Sequence, residues 1–331
     1  MAFPSYVKTI FYSIAMILAL VFSLLGPAMG QLIVGFYSST CPNAEEIVSS
    51  VVQEAVHEDP TMAAALLRLH YHDCFVQGCD GSILIDGSDA ERQASNHAGV
   101  RGFEVIERAK AQIEDVCAGV VSCADIVALA ARDAITLSNG PQYQVPTGRR
   151  DGQRSNVSDA DTMPDSGDSI QLLKDKFGEK GLSEKDLVLL TGAHTIGTTA
   201  CFFLERRLYD FLPGGGSDPT INPQLLPELK SQCPQNGDVN VRLGLDRGSD
   251  QKFDVQILRN IRDGFGVLES DAKLYTDEST RQIIDSYSGS LSATFGPFFE
   301  RDFIDSIVRM GQIGVKTGLN GEIRRVCSAF N

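Results

Sequence analysis

The chain has no tryptophan and only five histidines among its 331 residues. Without indole, any electron route across the surface has to use tyrosine. With so few imidazoles, metal or proton chemistry must be carried by His57, His70, His72, His97 or His194. Strand-like alternation is scarce, which argues against a sandwich or barrel. From Gln31 onward there is no internal repeat and no low-complexity linker, so a solenoid or a tethered array is excluded. Basic residues are in deficit, 29 against 43 acidic, for a formal charge of -14. Such a chain repels nucleic acid, anionic lipid and acidic polysaccharide, and neither nucleic acid nor membrane is expected as a partner.

The one long apolar run, Ile10 to Leu25, stands at the N-terminus behind Lys8 and before Pro27 and Ala28-Met29-Gly30. That is the layout of a secretory signal peptide, and it is short for a membrane span of about 20 residues. Residues 1–30 are therefore expected to be removed, leaving Gln31 free to cyclise to pyroglutamate. The eight cysteines all lie beyond residue 30 and suit an oxidising destination. The sequon Asn156-Val157-Ser158 agrees with that route. Eight cysteines admit 105 pairings, so sequence alone leaves the connectivity open.

Helical punctuation dominates the rest. Asp59-Pro60-Thr61 precedes a helix carrying Ala64, Leu67, Arg68, Tyr71 and His72. Ser122 opens another that closes near Asn139-Gly140. Ser183 with Asp186 forms a capping-box start. Arg281 to Asp285 and Phe298 to Met310 have 3.6-residue periodicity, and Phe211 to Pro223 reads as a surface loop. The reading is a mostly α protein folded as one unit over residues 31–331.

Arg68 to Ser82, RLHYHDCFVQGCDGS, is the densest stretch chemically. Arg68 and His72 are four apart and share a helix face, a guanidinium beside an imidazole. Asp73, Asp80 and Ser82 are hard oxygen donors interleaved with Cys74 and Cys79. His70 points away from the Arg68/His72 face and reads as structural. The same divergence makes a zinc site from His70, His72 and Asp73 improbable. His57 and His97 sit in polar surroundings and read as surface residues. His194 lies in Leu190-Thr-Gly-Ala-His-Thr-Ile-Gly197 at a helix C-terminus, where small residues would let a flat cofactor approach. Alone, such a histidine is more often a core residue than a ligand.

The motifs together resemble those of the secreted plant haem peroxidases of class III, and the likeness runs from Gln31 to Asn331. Its carriers are Phe36-Tyr37 with Cys41-Pro42-Asn43, Arg68 to Phe75, Arg101-Gly102-Phe103, Val121 to Asp125, Gly148 to Asp151, and Gly192 to Gly197. All eight cysteines fall at the family's positions. The resemblance implies helices in two lobes around a buried haem b with minor β structure. It also implies two Ca²⁺, a monomer, and oxidation of small phenolic donors by hydrogen peroxide through heterolytic O–O cleavage and two one-electron reductions. Removal of hydrogen peroxide, lignin-type oxidation and response to oxidative stress are the expected roles.

By that resemblance His194 is the axial haem ligand, His72 the distal base, and Arg68 the cation that steadies the breaking bond. Asn96 is expected to accept from the far nitrogen of His72, and Asp271 from the outer nitrogen of His194. A distal calcium would take side chains of Asp73, Asp80 and Ser82 with carbonyls of Val76 and Gly78. Glu91 is expected to assist through water. A proximal calcium would use Thr195, Asp246, Ser249 and Asp254, with a carbonyl at residue 252. The implied disulfides are Cys41–Cys117, Cys74–Cys79, Cys123–Cys327 and Cys201–Cys233. Asp125 with Arg149 resembles the family's buried ion pair, and Pro164 would offer a carbonyl to donors.

Several residues depart from the family's pattern. Tyr71 stands where phenylalanine is usual, adding an oxidisable phenol beside His72. Pro164-Asp165-Ser166 replaces Pro-x-Pro, which predicts a more flexible and more acidic rim. Ser249 replaces threonine. The interval from Glu91 to Asn96 is one residue short, which weakens the assignment of Glu91 to calcium. Ser-Ala-Phe-Asn after Cys327 leaves no room for a sorting extension, so the expected location is the apoplast or cell wall. A calcium-binding extracellular protein with lost catalysis is the alternative, and joint retention of Arg68, His72, Asn96, His194 and Asp271 argues against it.

Overall fold

The computed structural model describes residues 32–289, 296 and 298–331. The expected signal segment and Gln31 lie outside the described residues. The major helices are α1 (Ala44–Glu58), α2 (Met62–Phe75), α3 (Phe103–Cys117), α4 (Cys123–Leu137), α5 (Ile170–Glu179) and α6 (Glu184–Thr191). There follow α7 (Glu205–Tyr209), α8 (Leu226–Gln232), α9 (Gln256–Arg262), α10 (Glu269–Lys273), α11 (Glu278–Ser288) and α12 (Phe299–Met310). Two small antiparallel pairs complete the fold: β1 (Ile33–Val34) with β2 (Pro146–Thr147), and β3 (Thr198–Ala200) with β4 (Arg242–Gly244). Among the described residues no helix is long and apolar enough to cross a membrane.

Local chemistry sets the helix starts. The Ser122 hydroxyl accepts from the Asp125 N–H at 3.1 Å and opens α4. At α6, Ser183 and Asp186 cap one another reciprocally, as the sequence predicts. Each such cap stabilises its helix by about 1 kcal/mol. Phe211 to Pro223 is loop, also as expected.

Two large apolar clusters divide the helices. One gathers α1, α3 and the faces of α2 and α4 that carry Leu66, Leu69, Ile126 and Val127. The other gathers α5, α6, α9, α11 and α12 with Leu67, Phe75, Ala131 and Ile135. Helices α2 and α4 thus contribute to both clusters and form the wall between the lobes. That sharing requires helices apolar over more than one stripe, and twelve of the fifteen residues of α4 are buried.

The four disulfides are those the resemblance implies. Cys123–Cys327 spans 204 residues and ties the chain's end to the start of α4. Beneath it lies the Asp125–Arg149 pair at 2.7 Å, both side chains almost wholly buried. Asp125 also accepts from the Tyr37 hydroxyl and the Gly148 and Arg149 N–H groups. An ion pair so fully hydrogen-bonded can be buried without leaving a charge uncompensated.

Candidate active site

Arg68 and His72 share one face of α2, as the four-residue spacing requires. The Arg68 Nη2 donates to the Ala98 carbonyl at 3.1 Å. Burial, and then the nearby Arg242 charge, push its pKa down to about 10, so it stays cationic at neutral pH. His72 is 5% exposed. Burial, the Arg68 charge and His97 hold its pKa well below the usual imidazole value. The result is a neutral base beside a permanent cation. His70 is buried, with its pKa down to about 3 through burial and the Arg149 charge, and its Nδ1 faces Cys74 Sγ at 3.6 Å. The structural role read for it stands, and His57 is on the surface as expected.

Two expectations fail at the next step. Asn96 does not reach His72; its Nδ2 donates to the Ala160 carbonyl at 2.8 Å. His97, read as a surface residue, is 3% exposed, and its Nδ1 lies 2.8 Å from the Nδ1 of His72. The cause is local backbone geometry. Glu91–Gln93 and Ser95–His97 are consecutive 3₁₀ turns, closed by Ala94 N–H to Glu91 and Ala98 N–H to Ser95. In so tight a path neighbouring side chains diverge, and only one of the pair can face α2. The sequence did hold the signal. The interval that is one residue short when counted to Asn96 is restored when counted to His97.

Farther along the chain, α6 runs into a 3₁₀ turn, Gly192–Thr195, that carries His194. The His194 Nδ1 is 3.0 Å from Oδ1 of Asp271, on the short helix α10. Asp271 is fully buried, whereas the imidazole is 37% exposed. Burial opposes its charge, but the Asp271 carboxylate outweighs that and raises the His194 pKa. With Nδ1–H donated to the carboxylate, Nε2 is left with its lone pair outward. Glycines set the approach of the strap. A Cβ on Gly192 would lie 2.8 Å from the Phe299 ring, and one on Gly197, at φ +97°, 2.6 Å from Ala64 of α2.

The matching family model is the peroxidase family, over residues 48–290. Peroxidase 43 of Arabidopsis thaliana is 64% identical over 315 residues, covering 95% of this chain and 97% of that protein. Peroxidase 13 of the same plant is 58% identical over 310 residues, 93% of this chain and 95% of its own. Peroxidase N1 of Nicotiana tabacum is 55% identical over 301 residues, 90% of each. The chain belongs to the class III plant peroxidase family. It is a haem peroxidase that oxidises its substrates with hydrogen peroxide, and its helical architecture is that of the family. Membership implies haem and, typically, calcium.

The residues fit both groups. An imidazole held by a buried carboxylate and presenting a free Nε2 is a donor suited to haem iron. At the distal loop, both Asp73 oxygens and the Ser82 Oγ are buried without a hydrogen-bond partner. Burial, and then the Asp80 and Glu91 charges, push the Asp73 pKa well above the usual carboxylate range. Orphaned hard oxygens of this kind are what a divalent cation satisfies. Lys316 pairs with Asp80 in the present arrangement. The second loop is organised differently. Thr195 Oγ1 donates to Asp246 at 2.8 Å, and Ser249 Oγ donates to Asp254 at 2.9 Å. Burial leads in raising the Asp246 pKa to about 7. Among the described residues no three His, Cys, Asp or Glu side chains form a cation cluster.

At the rim, Pro164 is half-buried. Asp165 turns back to accept from the Gly167 N–H at 2.8 Å. Lys273 donates to the Gly167 and Asp168 carbonyls, and Lys176 pairs with Asp168 at 2.7 Å. Two ammonium groups thus sit beside the acidic Pro164-Asp165-Ser166 turn. The Tyr71 ring meets His72 edge-on, 5.5 Å between centroids.

Proposed function

We propose that the chain is a secreted peroxidase of small phenolic donors, holding haem b on His194 and two Ca²⁺ in the loops around Asp73 and Asp246. The observation that carries this reading is the presence of two unlike imidazoles, both within reach of the Arg68 charge. One is neutral and sits beside a guanidinium; the other is made basic by a buried carboxylate. His194 would hold the haem, which would supply the redox chemistry that couples peroxide reduction to one-electron oxidation of the donors. The protein's part is proton and charge management. His72 Nε2 accepts the proton of the inner peroxide oxygen and returns it to the outer one, so that water leaves. Arg68 offsets the negative charge that grows as the O–O bond breaks. Asp271 keeps the His194 proton on Nδ1 and makes Nε2 the stronger donor. Pro164 offers its carbonyl to a phenol at the rim, and Asn156, which is exposed, accepts a glycan on the secretory route.

Purified protein with an intense Soret band, bound calcium, and peroxide-dependent turnover of ferulic acid or a neutral phenol is the expected result. Calcium without haem would replace this reading with that of a catalytically silent extracellular protein.

A further inference from the structure

The distal histidine of this chain has a partner with two ring nitrogens, and the second of them also faces a functional group. His97 Nε2 lies 3.3 Å from Oε1 of Glu91, with both side chains fully buried. The pair is close but not aligned as a hydrogen bond, and His97 Nε2 and the Glu91 oxygens are buried, with the Ser82 hydroxyl the other group near Glu91. Glu91 is placed by its own N–H, which the Ser155 hydroxyl receives at 3.0 Å. Buried polar atoms that face one another need only a small rotation to pair.

We propose that Glu91, His97 and His72 form a directional proton relay in which His97 is a positioning residue, taking the task expected of Asn96. This rests on the function proposed above. The direction follows from donor and acceptor inventories. A carboxylate can only accept, so it draws the His97 proton to Nε2. That leaves His97 Nδ1 as a lone pair. The single proton between the two Nδ1 atoms, 2.8 Å apart, must then sit on His72. With Nδ1 of His72 protonated, its Nε2 is the free base that peroxide needs. No net charge moves, and Glu91 chooses the tautomer of a ring it does not touch. The same inventory identifies the substitute that preserves the role. An asparagine at position 97 carries its Oδ1 where the histidine carries Nδ1, and that oxygen can only accept.

The test compares holoenzymes with His97→Leu, His97→Asn and Glu91→Gln. The first readout is the stopped-flow rate with hydrogen peroxide. The second is long-range ¹⁵N–¹H correlation on the ferrous carbon-monoxide complex with labelled histidine, tractable because only five rings contribute. In the parent protein His72 is expected as the Nδ1–H tautomer and His97 as Nε2–H. His97→Leu should slow the peroxide reaction by about 10–100-fold and mix the His72 tautomers. His97→Asn should restore the rate to within a few-fold and the tautomer fully. Glu91→Gln should fall between. A His72 Nε2–H tautomer in the parent, or His97→Asn as slow as His97→Leu, overturns the relay. Should His97→Leu not fold, the parent spectrum and His97→Asn still decide. A parent protein that takes no haem sinks the proposed function instead, and that result needs no variant.

Discussion

Helix α2 and the turn after α6 use the same side chain to opposite ends. On α2, His72 is buried, flanked by a cation and joined to another imidazole, and every one of these influences keeps it neutral. On the turn after α6, His194 is partly exposed and backed by the buried carboxylate of Asp271, which makes it more basic. Surroundings rather than residue type set what each ring can do. The calcium loops beside them repeat the contrast. The distal loop holds oxygens with no partner, whereas the proximal loop's oxygens are paired among themselves.

The contrast breaks most visibly at the metal. His194→Ala is expected to abolish most of the Soret absorbance of protein reconstituted with haem, while His72→Leu should load haem normally. Equal loading of both variants would mean the ring on the strap is not the ligand. Next in size, His72→Leu should slow the peroxide reaction by ~10²–10⁴-fold, the usual worth of a positioned proton acceptor. A stopped-flow rate near the parent's would end its role as base.

Acid should also separate the two rings. His194 must be neutral to bind iron, and its pKa in the haem-free protein is raised. Haem affinity should therefore be level above that pKa and decline by up to about tenfold per pH unit below it. The folding stability of haem-free protein should run the other way. The His194⁺–Asp271 contribution is complete below the ordinary histidine pKa and is lost as pH rises through the raised value. Haem titrations and urea melts at several pH values would check both signs. His72, with its lowered pKa, should keep the peroxide reaction level through the ordinary histidine range.

The smallest expected effect lies in the calcium loops. In calcium-free protein Asp73→Asn removes a buried carboxylate that has no partner, and should stabilise by ~1–3 kcal/mol in denaturant melts. It should also remove the gain that calcium confers. Asp246→Asn relieves a carboxylate whose pKa is also raised but weakens its hydrogen bonds from Thr195 and Asn260, and should stabilise the calcium-free form less. A destabilised Asp73→Asn would show that its charge is compensated in a way these contacts do not reveal.

Much of this was legible before any coordinates. The four-residue interval between Arg68 and His72 is a helical period, so their shared face follows from helix geometry alone. The Ser122 and Ser183 caps were readable for the same reason, since a cap is a contact within four residues. The disulfide pairing was legible only through likeness to a family, because spacing leaves 105 choices. Asp271, 77 residues from His194, has no local mark beyond an acidic tripeptide. The failures at Asn96 and His97 are of one kind. Each depends on which way a side chain leaves a tight non-helical turn, and polar neighbours in the chain do not reveal that.

By itself, then, the order of residues determined the helices, an even set of cysteines able to pair, and the pairing of a guanidinium with an imidazole on α2. Those follow from period, caps and cysteine count, which act over a few residues or on the whole composition. The packing of α4 and α2 between two cores decided the rest. It brought a loop imidazole and Glu91 behind His72, set a buried carboxylate behind His194, and left hard oxygens without partners at Asp73. Burial strengthens each of these interactions, and burial is a property that only the assembled chain possesses.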